Sequence, residues 1–418
     1  VKNLPNFIRR ALWIYLSTFH FLPASGQDFS TLKAEELLIR GRSAFDNRDY
    51  PTAVAAYSHF IQFYGTIPEG RLEITRASYQ LGIALVNLGR FEEAIPFLKA
   101  SLDSPGENQP AQIQNMTFWL GVAQLQEKNY AEARTALEKF IAIFPPDSEK
   151  NPLFIRQNPA AALIPEARTT IGTTYILEGK FQEAADYYAQ LKPTLPPHAR
   201  GRAVIFQLYA LEQLGDFDGA MKVVTEEYPH MGDIAQLISF QTLTLRLGNH
   251  WLERGEFRKT IQCLQRVWPF DRLIKHQENR LVALKSKLKA AEANTGDPYA
   301  KILYSRLVGE VSRELENFRK VENFDSALIF RQAIAYQQMR RYREAALLLE
   351  KISTTYSGES LSEQAGFEAI RCWQELSDWR NTLRAAEYFL KTFPKSKRAH
   401  DAESLKNDAA RKLEIGIQ

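Results

Sequence analysis

The chain has 418 residues, 45% hydrophobic and 24% charged, the balance of a folded rather than a disordered protein. Lys2, Arg9 and Arg10 supply three of its net +4 charges, so the remaining body is nearly neutral and lacks the basic footprint of a nucleic-acid binder. Two cysteines among 418 residues exclude a disulfide scaffold.

Residues 1–26 read as a targeting segment. "VKNLPNFIRR" is basic, "ALWIYLSTFHFL" is an apolar run, and "PASG" supplies small residues at Ala24 and Gly26. This order predicts a secretory signal peptide cleaved between Gly26 and Gln27. The apolar run falls short of the roughly 20 residues that span a bilayer. An amphipathic first helix or an uncleaved anchor is the alternative. No cysteine follows the site to carry a lipid, and no later stretch is long and apolar enough for a transmembrane span.

From residue 48 one ten-residue pattern recurs: "RDYPTAVAAY" (48–57), "GRFEEAIPFL" (89–98), "KNYAEARTAL" (128–137), "GKFQEAADYY" (179–188), "GDFDGAMKVV" (215–224), "GEFRKTIQCL" (255–264), "RRYREAALLL" (340–349) and "SDWRNTLRAA" (377–386). An apolar-periodic stretch precedes each, and another begins inside it, so each predicts two amphipathic helices joined by a tight turn. Gly89, Gly179, Gly215 and Gly255 suit the left-handed position that ends a helix. Acids such as Glu92, Glu93, Glu132 and Glu183 then fall in the first turn of the second helix, where the helix dipole favours them. Ala94, Ala133, Ala184, Ala220 and Ala345 lie where two helices would cross closely. Four residues later, Leu98, Leu137, Tyr188, Val224 and Leu349 share that face.

Three segments interrupt or end the series. "FPPDSEKNPLFIRQNPAAALIP" (144–165) holds five prolines and is expected to be non-helical, with Phe154 and Ile155 free to meet a partner or to cover an apolar seam. Between the markers at 260 and 345 there is room for one degenerate pair, "HQENRLVALKSKLKAAEAN" and "PYAKILYSRLVGEVSRELENF". The last stretch, "SKRAHDAESLKNDAARKLEIG", is apolar on one face and suits a terminal capping helix, which a stacked array needs for solubility. Cys263 and Cys372 fall inside helical patterns, where buried thiols are expected, with a single bridge left open.

These units resemble tetratricopeptide repeats. The family places a glycine or alanine twelve residues before the alanine, and Gly82, Gly121, Gly172 and Gly248 fit, as do Gly41 and Ala333. Closing prolines stand twelve residues after it at Pro145, Pro196 and Pro394. Thr260 and Thr382 replace the alanine and Leu208 replaces a glycine. The resemblance implies an all-α, right-handed superhelical solenoid of about nine helix pairs with a C-terminal capping helix. The expected division is a signal peptide (1–26), an N-terminal array (27–270), a degenerate long-helix pair (271–322) and C-terminal repeats with the cap (323–418).

Catalytic signatures are missing. The seven histidines are scattered without metal spacing, "GTTYILEGK" lacks the P-loop spacing, and no G-x-S-x-G elbow occurs. The expectation is a non-enzyme with no cofactor and no metal. "NMT" at 115–117 is a glycosylation triplet inside a predicted helix and reads as chance. By family position the first helices would line a concave groove with Leu38, Arg42, Phe45, Tyr79, Asn87, Phe118, Gln126, Thr169, Arg202, Ile205, Tyr209 and Asn249. Such a lining suits an amphipathic helix or an extended apolar peptide, the alternative being burial of these side chains between repeats. The lysine and asparagine positions with which chaperone-tail receptors of this family clamp a carboxylate are here pairs such as Leu38/Arg42 and Tyr79/Ile83, which disfavours that role. Endings such as "FIAIFPPDS" and "FLKTFPKSKRAHDA" are similar to those of two bacterial envelope families, the outer-membrane assembly lipoprotein and the Tol–Pal coordinator. The function so implied is a periplasmic protein–protein scaffold of the cell envelope. A glycan-binding subunit of a polysaccharide secretion or peptidoglycan-associated machine is the alternative.

Overall fold

A computed structural model of the chain describes residue 29 and residues 31–66, 70–104, 109–233, 236–293 and 298–415. Residues 1–26, expected to be a signal peptide, lie outside the described residues. Those residues form twenty α-helices and no strand. In chain order they are α1 (Ala34–Asp46), α2 (Tyr50–Tyr64), α3 (Arg71–Asn87), α4 (Phe91–Leu102), α5 (Pro110–Gln126), α6 (Tyr130–Ala142) and a short α7 (Pro152–Gln157). Then come α8 (Ile164–Glu178), α9 (Phe181–Leu191), α10 (Pro197–Leu214), α11 (Phe217–Glu227), α12 (Leu237–Glu253) and α13 (Phe257–Leu264). Two long helices, α14 (Phe270–Ala293) and α15 (Pro298–Phe318), precede α16 (Phe324–Gln338), α17 (Tyr342–Thr355), α18 (Ser362–Glu375), α19 (Trp379–Thr392) and α20 (Ala399–Ile415). The described residues are all-α, as expected, and run as helix pairs with a terminal helix.

Each recurring ten-residue pattern begins at one kind of turn. Gly89, Gly179, Gly215 and Gly255 have φ between 72° and 77°, and Arg48, Lys128, Arg340 and Ser377 hold the same left-handed region at 54° to 65°. In seven of these turns the next residue's N–H reaches back five residues, as from Arg90 to Leu85 O and from Asn129 to Gln124 O, so the last carbonyls of the first helix are satisfied. The motif is the same with glycine or without it. Side chains of Asp49, Asp216 and Asp378 then cap the second helix by accepting from the N–H three residues on.

The glycine-to-alanine spacing has a steric cause. A Cβ built on Gly82 would lie 2.7 Å from Leu98, on Gly121 2.6 Å from Leu137, on Gly172 2.5 Å from Tyr188, and on Gly248 2.5 Å from Leu264. Gly41 meets the Tyr57 ring in the same way. Each glycine therefore receives the large residue four positions beyond the alanine. The alanines are close to fully enclosed, with Ala94, Ala133, Ala184 and Ala345 at 0% exposure and Ala220 also buried. Thr260 and Thr382 fill the alanine position by donating their hydroxyls to the carbonyls of Glu256 and Asp378 one turn back in their own helices.

The chain forms two compact units. One contains the described residues up to Leu214 together with Ala290–Arg306, and the other contains Gly215–Lys289 and Leu307 onward. In the first, α1 to α6 pack in series, α6 meets α8, and α8 to α10 continue. In the second, α12 packs on α13, α13 on α16, and α16 to α20 follow in order. The long pair α14/α15 thus stands outside the line of repeats, because α13 is followed in space by α16. Its base is closed by aromatic rings: Phe270 stacks on Phe318 at 4.9 Å, Phe318 meets Phe324 edge-on at 5.0 Å, and the Phe270 N–H donates to Asp325.

The proline-rich insertion is more ordered than expected. Pro152 takes the first position of α7, where a missing N–H costs nothing, and the Asn151 side chain caps it. Phe154 and Ile155 pack against the cluster of Phe118, Phe140, Phe144 and Ile164. Buried Glu149 pairs with Arg168 of α8. The segment covers an apolar seam of the first unit. Cys263 and Cys372 are buried and unbonded, and burial pushes their thiols up to about 12 and about 11.

Candidate functional site

The first helices of the opening repeats contribute half-buried side chains to the edge of one apolar cluster. Leu38 and Phe45 of α1, Tyr79 of α3 and Trp119 of α5 lie on the rim of one apolar cluster of the first unit. Asn115, one turn before Trp119, donates to the Tyr79 hydroxyl at 3.2 Å. Arg42 is exposed beside Ile39, itself 63% exposed, and the outer face of α1 forms a cleft of about 520 Å³ between Glu35, Leu38, Ile39, Arg42 and Asp46. Phe45 meets Tyr50 edge-on at 6.0 Å.

The other residues assigned by family position are dispersed. Asn87 is half-buried and donates to the Ile83 carbonyl of its own helix at 2.8 Å. Gln126 is half-buried, and its Nε2 is enclosed with no hydrogen-bond partner among the described residues. Phe118 is 1% exposed and packs edge-on against Phe140 at 5.2 Å, so it belongs to the core. Tyr209 is 4% exposed, its ring set edge-on to Phe181. Thr169 and Ile205 are buried as well. In the second unit Asn249 is half-buried, and its Oδ1 has no hydrogen-bond partner among the described residues.

Arg202 is engaged within the chain. Its guanidinium donates to Glu166 of α8 at 2.7 Å, and the other oxygen of that carboxylate takes Arg306 at 2.5 Å. Further along the same unit, Arg134 lies 4.6 Å from the Tyr175 ring centre and pairs with Glu178 at 2.5 Å. That hydrogen bond holds the Glu178 carboxyl below the usual carboxylate range. These guanidiniums are spent on internal carboxylates.

Sequence reasoning missed Trp119 and Asn115. Their spacing of four, with Gln126 a further turn or two along, marks a face of α5 adjacent to the one carrying Phe118 and Val122. No three His, Cys, Asp or Glu side chains gather closely enough to hold a metal among the described residues. No described helix is long and apolar enough to cross a membrane.

A tetratricopeptide repeat profile matches residues 38–113 and 79–148. A search of curated protein sequences finds no match. Among solved structures, MamA MSR-1 C2 is 20% identical, covering 51% of this chain and 97% of its own at a TM-score of 0.33. The apo form of RapI is 10% identical and covers 92% of this chain and 99% of its own at 0.36. A tetratricopeptide repeat protein from Parabacteroides merdae is 14% identical, covering 72% and 99% at 0.25.

Proposed function

From its tetratricopeptide repeats we propose that the chain is a non-catalytic scaffold whose opening repeats bind a partner protein. The observation that carries this reading is the set of Leu38, Phe45, Tyr79 and Trp119, contributed by three successive first helices and left half-buried at the edge of one apolar cluster. Aromatic anchors of this kind, with Asn115 and Gln126 offering amides between them, suit an amphipathic helix or an extended apolar segment. The ordering cost on the scaffold side is small because the helices are already packed.

The basic, apolar and small-residue order of residues 1–26 supports export, so the partner is an envelope protein and the scaffold works in the periplasm. Two experiments test these statements. A photo-crosslinking residue at position 79 in intact cells captures discrete partners, one at exposed Glu183 does not, and Tyr79→Ala with Trp119→Ala weakens capture by 10²-fold or so. Equal capture from positions 79 and 183 defeats the surface assignment. Recovery of the chain wholly in the cytoplasmic fraction defeats export.

A further inference from the structure

The first and the last described helices present unlike outer faces. Helix α20 buries Ala402 and Ala409, and several of its charges pair within the helix, Glu403 with Lys406 at 2.9 Å and Asp408 with Arg411 at 2.7 Å. It exposes no large apolar side chain before Ile415. Helix α1 buries Leu37, Gly41 and Ala44 and packs on α2 and α3. Its other face leaves Glu35, Ile39, Arg42 and Asp46 exposed around the 520 Å³ cleft. None of the three charged residues has an ion-pair or hydrogen-bond partner among the described residues.

These four residues follow one another in steps of four, three and four, the spacing of a seam between two helices. Charges at seam positions select the direction and register of the partner helix. Glu35 and Arg42 are two turns apart, about 10 Å along the axis, with Leu38 and Ile39 midway between them. An antiparallel copy of α1, turned about a two-fold axis at Leu38 and Ile39, sets Glu35 against the partner's Arg42 and Arg42 against the partner's Glu35. A parallel copy sets each charge against itself. The two-fold contact also makes every favourable pair twice. The face is complementary to itself in one direction only.

We propose that the outer face of α1 is a self-association surface, on which two copies of the chain pair antiparallel through Ile39 and two Glu35–Arg42 bridges. A helix of 13 residues is about 20 Å long, so the contact is smaller than the roughly 1,200 Å² of a stable dimer. The dimer is therefore weak, and its exposed bridges make it sensitive to salt. Tyr79 and Trp119, which lie on α3 and α5, take no part in it.

The test is sedimentation of the full chain over a concentration series. The unaltered chain should show a monomer–dimer equilibrium that weakens as salt rises. Glu35→Arg and Arg42→Glu should each weaken it about tenfold, because each turns two attractive pairs into two repulsive ones. Mixing the two single variants should recover the dimer, since one copy then carries arginine at both positions and the other glutamate at both. Tyr79→Ala with Trp119→Ala should leave the dimer unchanged, which separates this surface from the partner site. A chain that is monomeric at every concentration overturns the proposal. So does a dimer indifferent to Glu35→Arg, or a mixture no more associated than its components. A photo-crosslinking residue at position 39 that joins a different protein and never a second copy also overturns it.

Discussion

The pair α5/α6 and the pair α14/α15 solve the same problem by different means. In α5/α6 a glycine at 121 lets Leu137 seat against the backbone, with Ala133 closing the crossing at 0% exposure. In α14/α15 the only mid-helix glycine, Gly309, has nothing within 4 Å of an added Cβ. There Leu307, Val311 and Leu315 form the buried stripe, and polar bonds from Glu310, Glu314 and Gln277 complete the attachment. Steric interlock is insensitive to pH and tolerates no added atoms. Carboxylate attachment tolerates volume and responds to protons.

The sharpest way to break this contrast is Gly121→Leu. Its Cβ has no room beside Leu137, and overpacking should cost about 3 kcal/mol, read by urea denaturation of the helical signal. A loss below about 0.5 kcal/mol would mean the crossing is looser than described. Ala184→Leu should cost about 2 kcal/mol by the same mechanism, while exposed Glu183→Gln stays near zero. Similar losses from both would misplace the α8/α9 crossing.

The opposite sign is expected in the long pair. Gly309→Ala should stabilise by about 1 kcal/mol, since it removes backbone entropy from a helix interior with open space around it. Slower local exchange of α15 would show it, and any destabilisation would place an unseen neighbour at Gly309. The smallest effect concerns the turns. Lys128 holds the left-handed φ of 65° that Gly89 and Gly179 adopt without strain, so Lys128→Gly should gain about 0.5 kcal/mol in thermal unfolding.

Much of the fold was legible because its signals are local. A left-handed turn, an acid-rich helix start and a glycine twelve residues before an alanine each act through contacts inside one helix pair, so the spacing survives in the sequence. The candidate surface was only partly legible. Helix α5 is buried nearly all round, with ten of its residues enclosed and polar ones among them, so periodicity could not say which side faces solvent. Family position pointed to Phe118, which is core, while Trp119 and Asn115 on the adjoining face are half-buried. Tyr209 was misplaced for the same reason, since α10 is buried along Ala203–Leu211.

The order of side chains alone determined that the chain would build helix pairs, where each pair turns, and which small residues let the helices cross, because those demands are met within some twenty consecutive residues. Only the tertiary structure decided that α13 continues into α16, that α14/α15 leaves the line, and that Glu314 reaches the start of α12, 75 residues away in the sequence. Contacts of that range depend on how successive pairs stack, and stacking is a sum of many small packing choices that no short spacing records.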